Sequence, residues 1–135
     1  MMVSTRGRYA LRVLIDLAEK GDGGYVPLID IAKRQEISEK YLESVVSSLV
    51  KAGMLEGMRG KRGGYRLTKK PAEYTVGDIL KLTEKSMAPV ACLDCAVNSC
   101  ERKESCKTLP MWTELDKRIN DYLQSVTLAD LCENE

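Results

Sequence analysis

Two short amphipathic segments joined by a tight turn, a basic glycine-rich hairpin directly after them, and a long apolar seam near the C-terminal end predict a mainly α fold. The expected architecture is a winged helix-turn-helix domain with a small β-hairpin wing, followed by a long C-terminal dimerisation helix. Residues 1–88 would form the winged domain, 89–107 a cysteine-rich loop, and 108–135 the dimerisation helix with a short final helix.

The elements follow in order. Ser4 predicts an N-cap, and Tyr9, Val13 and Leu17, with Ala10, Leu14 and Ala18 beside them, share one face of a first helix. Gly21 to Gly24 stops it. Arg6, Arg8 and Arg12 cluster near its start, where a helix dipole does not favour cations, so they are expected to meet an external anion. Pro27 suits a first helical turn, and Leu28, Ile31 and Ala32 give a short amphipathic helix ending near Arg34. After the turn at 35–37, Ser38 caps a third helix with the buried stripe Leu42, Val45, Val46, Leu49 and Val50. Ser38, Glu39, Lys40, Glu43 and Ser44 are its outward positions.

Residues 54–59 then read as a strand, 60–64 as a glycine-rich turn, and 65–67 as the returning strand. A basic hairpin after a helix-turn-helix is a wing, and an arginine at its tip is drawn to the negative potential of the minor groove. Thr75, with Asp78 three residues on, starts a fourth helix in which Val76, Ile79, Leu80 and Leu82 are expected to pack. Trp112, Leu115, Ile119, Tyr122 and Val126 recur at steps of three and four, an a/d-like seam with charges on the other face. With four short helices to cover the core, this seam is expected to associate with a second copy. Thr127 and Asp130 begin a last short helix, in which Cys132 is expected to be a small buried residue.

Charge is distributed unevenly. Residues 1–70 carry 14 Lys/Arg against 8 Asp/Glu, and residues 71–135 carry 7 against 12. The run from Arg59 to Lys70, including Lys61 and Arg62, contains no acid. A basic front half points to a polyanion as partner. No apolar run approaches the roughly 18 residues of a membrane helix, so a soluble, cytoplasmic protein without membrane contact is expected. The chain has no histidine, no nucleophile–base pair and no phosphate-binding glycine motif ahead of a helix, which argues against an enzyme.

Four of the five cysteines, Cys92, Cys95, Cys100 and Cys106, fall within a polar stretch with spacing C-x2-C-x4-C-x5-C. Packing does not explain thiols gathered in a polar loop, whereas a shared soft metal or cluster does. Only Cys92 and Cys95 make a zinc-type pair, so the loop leans toward iron–sulfur over zinc. Reversible thiol chemistry, with Cys92 or Cys95 forming a disulfide or sulfenate, is the other functional reading.

The pieces from Ser4 to Leu11, from Ile37 to Glu43, from Arg59 to Tyr65, and from Trp112 to Leu131 resemble the Rrf family of bacterial winged-helix regulators. That family includes IscR-, NsrR- and CymR-like proteins. The resemblance implies a homodimer that crosses its long C-terminal helices and regulates promoters, binding double-stranded DNA at a roughly palindromic operator. It places Ser38, Lys40, Tyr41, Glu43 and Ser44 where the recognition helix meets base edges or phosphates, and Arg59 where the wing enters the minor groove. It also places Tyr9 and the amide of Leu28 at phosphates. Cys92, Cys100 and Cys106 match the three loop cysteines that hold iron in cluster-binding members, with a wider gap between the first two. The resemblance leaves the fourth ligand open. Some members use a histidine where this chain has Leu109, others an aspartate near Arg8, and Cys95 is an additional thiol for the role.

The sequence therefore predicts a DNA-binding transcriptional regulator, a repressor by preference, switched by a [2Fe-2S] or [4Fe-4S] cluster. The alternatives are a thiol-redox-sensing repressor without a cluster, and a zinc-stabilised protein-interaction module.

Overall fold

Ser4 opens the first helix, α1 (Thr5–Lys20), by accepting the Gly7 amide at 3.0 Å, which satisfies one of the donors a helix start leaves open. The structure, a computed structural model, describes residues 2–94 and 101–133. Ala10, Val13, Leu14 and Leu17 form the buried face of α1, and the helix ends where the Gly21 amide donates to the Leu17 carbonyl. Val26 is extended and bridges Tyr65, and Pro27 then leads into α2 (Leu28–Gln35). Glu36 turns the chain in the left-handed region at φ 56°. Ser38 follows as cap of α3 (Glu39–Lys51), accepting the Tyr41 amide at 3.1 Å. This is the predicted helix-turn-helix.

Leu42, Val45, Val46 and Leu49 are buried on α3, but Val50, expected on the same stripe, is exposed. It lies on the side of α3 that faces the hairpin across a groove. The hairpin comprises β1 (Leu55–Met58) and β2 (Gly64–Leu67), paired antiparallel from Leu55↔Leu67 to Met58↔Gly64. Both strands sit within a residue of the predicted bounds. Met54 packs into the core instead of pairing.

Tyr74 locks the hairpin to the body. Its ring is buried, its hydroxyl donates to the Met54 carbonyl at 2.7 Å, and it accepts the Thr68 and Lys69 amides at 2.9 and 3.2 Å. Thr75 then caps α4 (Val76–Thr83) by accepting the Asp78 amide. Val76, Ile79 and Leu80 are buried as expected, whereas Leu82 is exposed. The buried face follows positions 76, 79, 80 and 83, and Leu82 stands about a quarter turn off it.

Beyond the loop lie α5 (Leu109–Ser125) and α6 (Leu128–Glu133). Thr127 and Asp130 cap α6 reciprocally, each side chain accepting the other's amide. The four helices expected to close the core do not close it alone. Leu128 is fully buried in the same cluster as Ala10, Val13 and Leu14, a contribution of about 1.5–3 kcal/mol for such a side chain. Its amide donates to the Tyr74 carbonyl, and the Val76 amide donates to the Val126 carbonyl, so the C-terminal tail is stitched back onto α4. In contrast, α5 has no buried residue. Cys132, expected to be buried, is half-buried.

Candidate nucleic-acid interface and cysteine loop

A polar network fixes the angle between the first two helices. Asp16 stands on the apolar face of α1, almost wholly buried, and a buried carboxylate requires partners. Arg34 supplies a fork of donors at 2.7 to 3.3 Å and Gln35 adds its amide at 2.9 Å. Arg12 in turn donates to the side chain and the carbonyl of Gln35. These contacts pin the end of α2 to α1 just before the turn that launches α3. Arg6 reaches from α1 to α3, donating to Ser44 and Ser48. Arg6 and Arg12, expected to meet an external anion, are thus engaged within the fold. Arg8 is exposed and donates to Thr5 at 3.2 Å.

On the outer surface of α3 and its cap, Ser38, Lys40, Tyr41, Glu43 and Ser44 are all exposed. The Tyr41 ring meets Tyr9 edge-on at 5.4 Å, and the Arg12 guanidinium lies over the other ring at 5.4 Å from its centroid. Tyr9 is therefore half-buried and held between α1 and α3. Pro27 gives α2 no side-chain cap, and the half-buried Leu28 begins that helix.

The wing separates its charges into two groups. Arg66 pairs with Glu56 across the strands and covers the Tyr25 ring at 4.4 Å, and Lys69 lies over Tyr74. Arg59, Lys61 and Arg62 at the tip are exposed and take part in none of the ion pairs among the described residues. Gly60 and Gly64 have positive φ, and at Gly64 an added Cβ would lie 2.2 Å from the Val26 carbonyl oxygen. The wing can lie against the strand-like residue ahead of α2 only because Gly64 has no side chain. Between α2, α3 and the wing runs a groove of about 600 Å3, with Leu28, Ile29, Val50, Met58 and Arg59 on its walls.

Cys92 lies in a short 3-10 turn (Ala91–Leu93) and Cys106 lies ahead of α5. Both are half-buried and neither forms a disulfide. Cys95 and Cys100 lie outside the described residues. The Cys106 thiol is 3.3 Å from the Thr108 hydroxyl. That hydroxyl, helped by the Thr108 backbone and by Arg102, holds it below the ordinary 9.0 against the opposing effect of burial. Leu109 and Arg8, which stand where the resemblance seeks a fourth ligand, offer none: one is apolar, and the other's guanidinium has no lone pair to give. Beside the carboxylates of Asp94, Glu101 and Glu104, this segment carries four thiols, the softer donors, which suit iron or zinc.

The helix α5 leaves its apolar side open. Met111, Leu115 and Tyr122 are exposed, Trp112 and Ile119 are half-buried, and the ion pairs Lys117–Asp121 and Arg118–Glu114 lie along the same helix. Near its end, Gln124 accepts from the Thr75 hydroxyl at 2.9 Å and donates to Asp78 at 3.1 Å, tying α5 to the start of α4.

A helix-turn-helix with an outward polar surface, flanked by a basic wing, defines a DNA-binding transcriptional regulator of the winged-helix class. Residues 3–134 match the model of the Rrf2 family, described as an iron-dependent transcriptional regulator, and the chain belongs to that family. It is 36% identical over 135 residues to the HTH-type transcriptional regulator IscR of Serratia proteamaculans, covering all of this chain and 81% of that protein. Among solved structures, CymR, the global cysteine regulator of B. subtilis, is 34% identical with a TM-score of 0.82, over 100% of this chain and 98% of that one. IscR of T. potens is 34% identical with a TM-score of 0.75, over 99% and 88%. Staphylococcus aureus CymR, 32% identical with a TM-score of 0.75 over 100% and 98%, is solved in an oxidized form. The family and these relatives are transcriptional regulators, not enzymes. Among the described residues, no helix is long and apolar enough to cross a membrane.

Proposed function

We propose that this regulator is a cytoplasmic homodimer that reads a roughly palindromic operator and is switched by an iron–sulfur cluster held by Cys92, Cys100 and Cys106, with Cys95 completing the set. One observation carries the cluster: four thiols lie within one polar segment, and two of them, Cys92 and Cys106, stand at the ends where it leaves the winged domain and meets α5. Thr108 biases Cys106 toward thiolate, the form that ligates metal. Four thiolates are the usual ligand set for such a cluster, which would supply an iron- and redox-sensitive centre. The naming of relatives as IscR and the family's description as iron-dependent support this reading.

On the DNA side, Tyr9, Tyr41, Ser38 and the Leu28 amide would meet phosphates, while Lys40, Glu43 and Ser44 face base edges. Arg59 would enter the minor groove, with Lys61 and Arg62 on the flanking backbone. Trp112, Leu115, Ile119 and Tyr122 would form the seam with the second copy.

Purification without oxygen tests the cluster. A brown protein with matched iron and sulfide is expected, and loss of that colour in Cys95→Ala would place Cys95 among the ligands. A colourless protein holding zinc or no metal overturns the cluster and leaves the DNA reader standing. The lowered Cys106 thiol favours a second reading in that case, a thiol switch. Mass spectrometry of air-exposed protein would then find Cys106 in a disulfide or as a sulfenate.

A further inference from the structure

We infer that Arg6 biases Ser44 toward hydrogen-bond donation and thereby sets which base edge that serine reads. The inference rests on the proposal that Ser44 faces a base edge. A serine hydroxyl has one hydrogen and two lone pairs, so in isolation it reads donor and acceptor edges alike. Here Ser44 is not isolated. Arg6 Nη1 donates to Ser44 Oγ at 2.9 Å, and Nη2 donates to the Ser44 carbonyl at 2.9 Å and to Ser48 Oγ. A guanidinium only donates, so Oγ of Ser44 is the acceptor in that contact. The Ser48 hydrogen goes to the Ser44 carbonyl at 3.3 Å. Among the described residues, nothing accepts the Ser44 hydrogen, and Ser44 is exposed. With one lone pair taken by Arg6, the hydroxyl keeps its hydrogen and a single lone pair for DNA.

The charge acts in the same direction. A cation bonded to Oγ repels the amino hydrogens of cytosine N4 or adenine N6 and favours an acceptor such as guanine O6 or N7, or thymine O4. Glu43, one residue earlier and also exposed, can only accept when ionised and so selects the opposite edge. Neighbouring positions on α3 thus favour opposite edges, and the adjacent Arg6 charge inclines a two-way serine toward donating. Arg6 is a positioning residue that need not touch DNA.

The test is selection from a randomised duplex pool by the natural chain, Arg6→Ala, Arg6→Lys, Ser44→Ala and Ser44→Thr. The natural chain should prefer guanine or thymine at one position of each half-site, by about two- to tenfold for a single hydrogen bond. Ser44→Ala should erase that preference, and Ser44→Thr, which keeps the hydroxyl, should retain it. Arg6→Ala should relax the same position while the others hold, and Arg6→Lys, whose ammonium lacks the planar fork, should do likewise. A general structural role for Arg6 would weaken all sequences equally and leave the preferences intact, and that result overturns the inference. If Ser44→Ala changes no preference, the placement of Ser44 at a base fails and the inference fails with it. If Ser44→Ala relaxes one position and both Arg6 variants keep it, the role of Arg6 alone is refuted.

Discussion

At the wing tip Arg59 has no acid partner among the described residues and no aromatic ring beneath it, unlike Arg66, which the fold holds through Glu56 and Tyr25. Arg59→Ala should leave the thermal midpoint unchanged and weaken binding to a selected duplex by about 1–3 kcal/mol. Fluorescence anisotropy measures this, and an unchanged affinity would take the wing off the DNA. Glu84 belongs to the fold instead. Burial pushes its carboxyl up, but the Ser4 hydroxyl at 2.6 Å, the Ser4 amide and the Thr83 hydroxyl together outweigh burial and hold it below the ordinary 4.5. A depressed folded value means that the ionised group stabilises the fold above the unfolded value. That contribution disappears as pH falls through the folded value. Glu84→Gln should therefore melt earlier than the natural chain at pH 7, and the gap should close in acid below 4.5. A gap of equal size at both ends would show that the Ser4 contact does not depend on the charge.

At the scale of elements, local chemistry was legible. Ser4, Ser38, Thr75 and Thr127 each cap the helix the sequence assigned to them, because a cap is a contact between residues three apart. What joins one element to another was not legible. Asp16, Tyr74, Gln124 and Arg6 act on partners 18 to 49 residues away, and their types and spacing carry no sign of it. The same distinction shows in the glycines. A Cβ at Gly77 would meet the Gln124 amide at 2.4 Å, so that side chain must shift and strain its hydrogen bonds to Thr75 and Asp78, but no backbone stands in the way. At Gly64 the obstruction is the Val26 carbonyl, and φ is 152°, so backbone must move. Gly64→Ala should lose about 1–3 kcal/mol in denaturant unfolding through backbone strain. Gly77→Ala should cost less, since alanine's preference for the helix, about 1 kcal/mol, offsets part of what the disturbed Gln124 contacts lose. Equal losses would mean that the wing does not depend on its close approach to the chain before α2.

At the scale of the molecule, one helix stands apart from the packing logic of the others. None of the fully buried core side chains comes from α5, whose Trp112 and Ile119 are only half-buried and which is tethered to α4 through Gln124 near one end. A helix of 17 residues with Leu115 and Tyr122 exposed on a repeating seam is stable as an element only if something covers that seam. In the proposed dimer a second α5 would meet the requirement, since a twofold axis brings the same patch of both copies together. The tether at Gln124 then matters for DNA. In the proposed dimer it would set the direction in which each α5 leaves its winged domain, and so the separation of two α3 helices reaching for half-sites about one helical turn apart. Leu115→Lys combined with Tyr122→Lys should give a monomer by analytical ultracentrifugation, with the far-ultraviolet dichroism of a folded winged domain. Affinity for a palindromic duplex should fall about 10²- to 10⁴-fold, as the two half-sites lose their linkage. Affinity for an isolated half-site should change little, because Lys40, Glu43 and Arg59 are untouched. A variant that stays dimeric would move the interface off α5. A monomer that still bound the palindrome as tightly as the natural chain would show that each winged domain reads DNA alone.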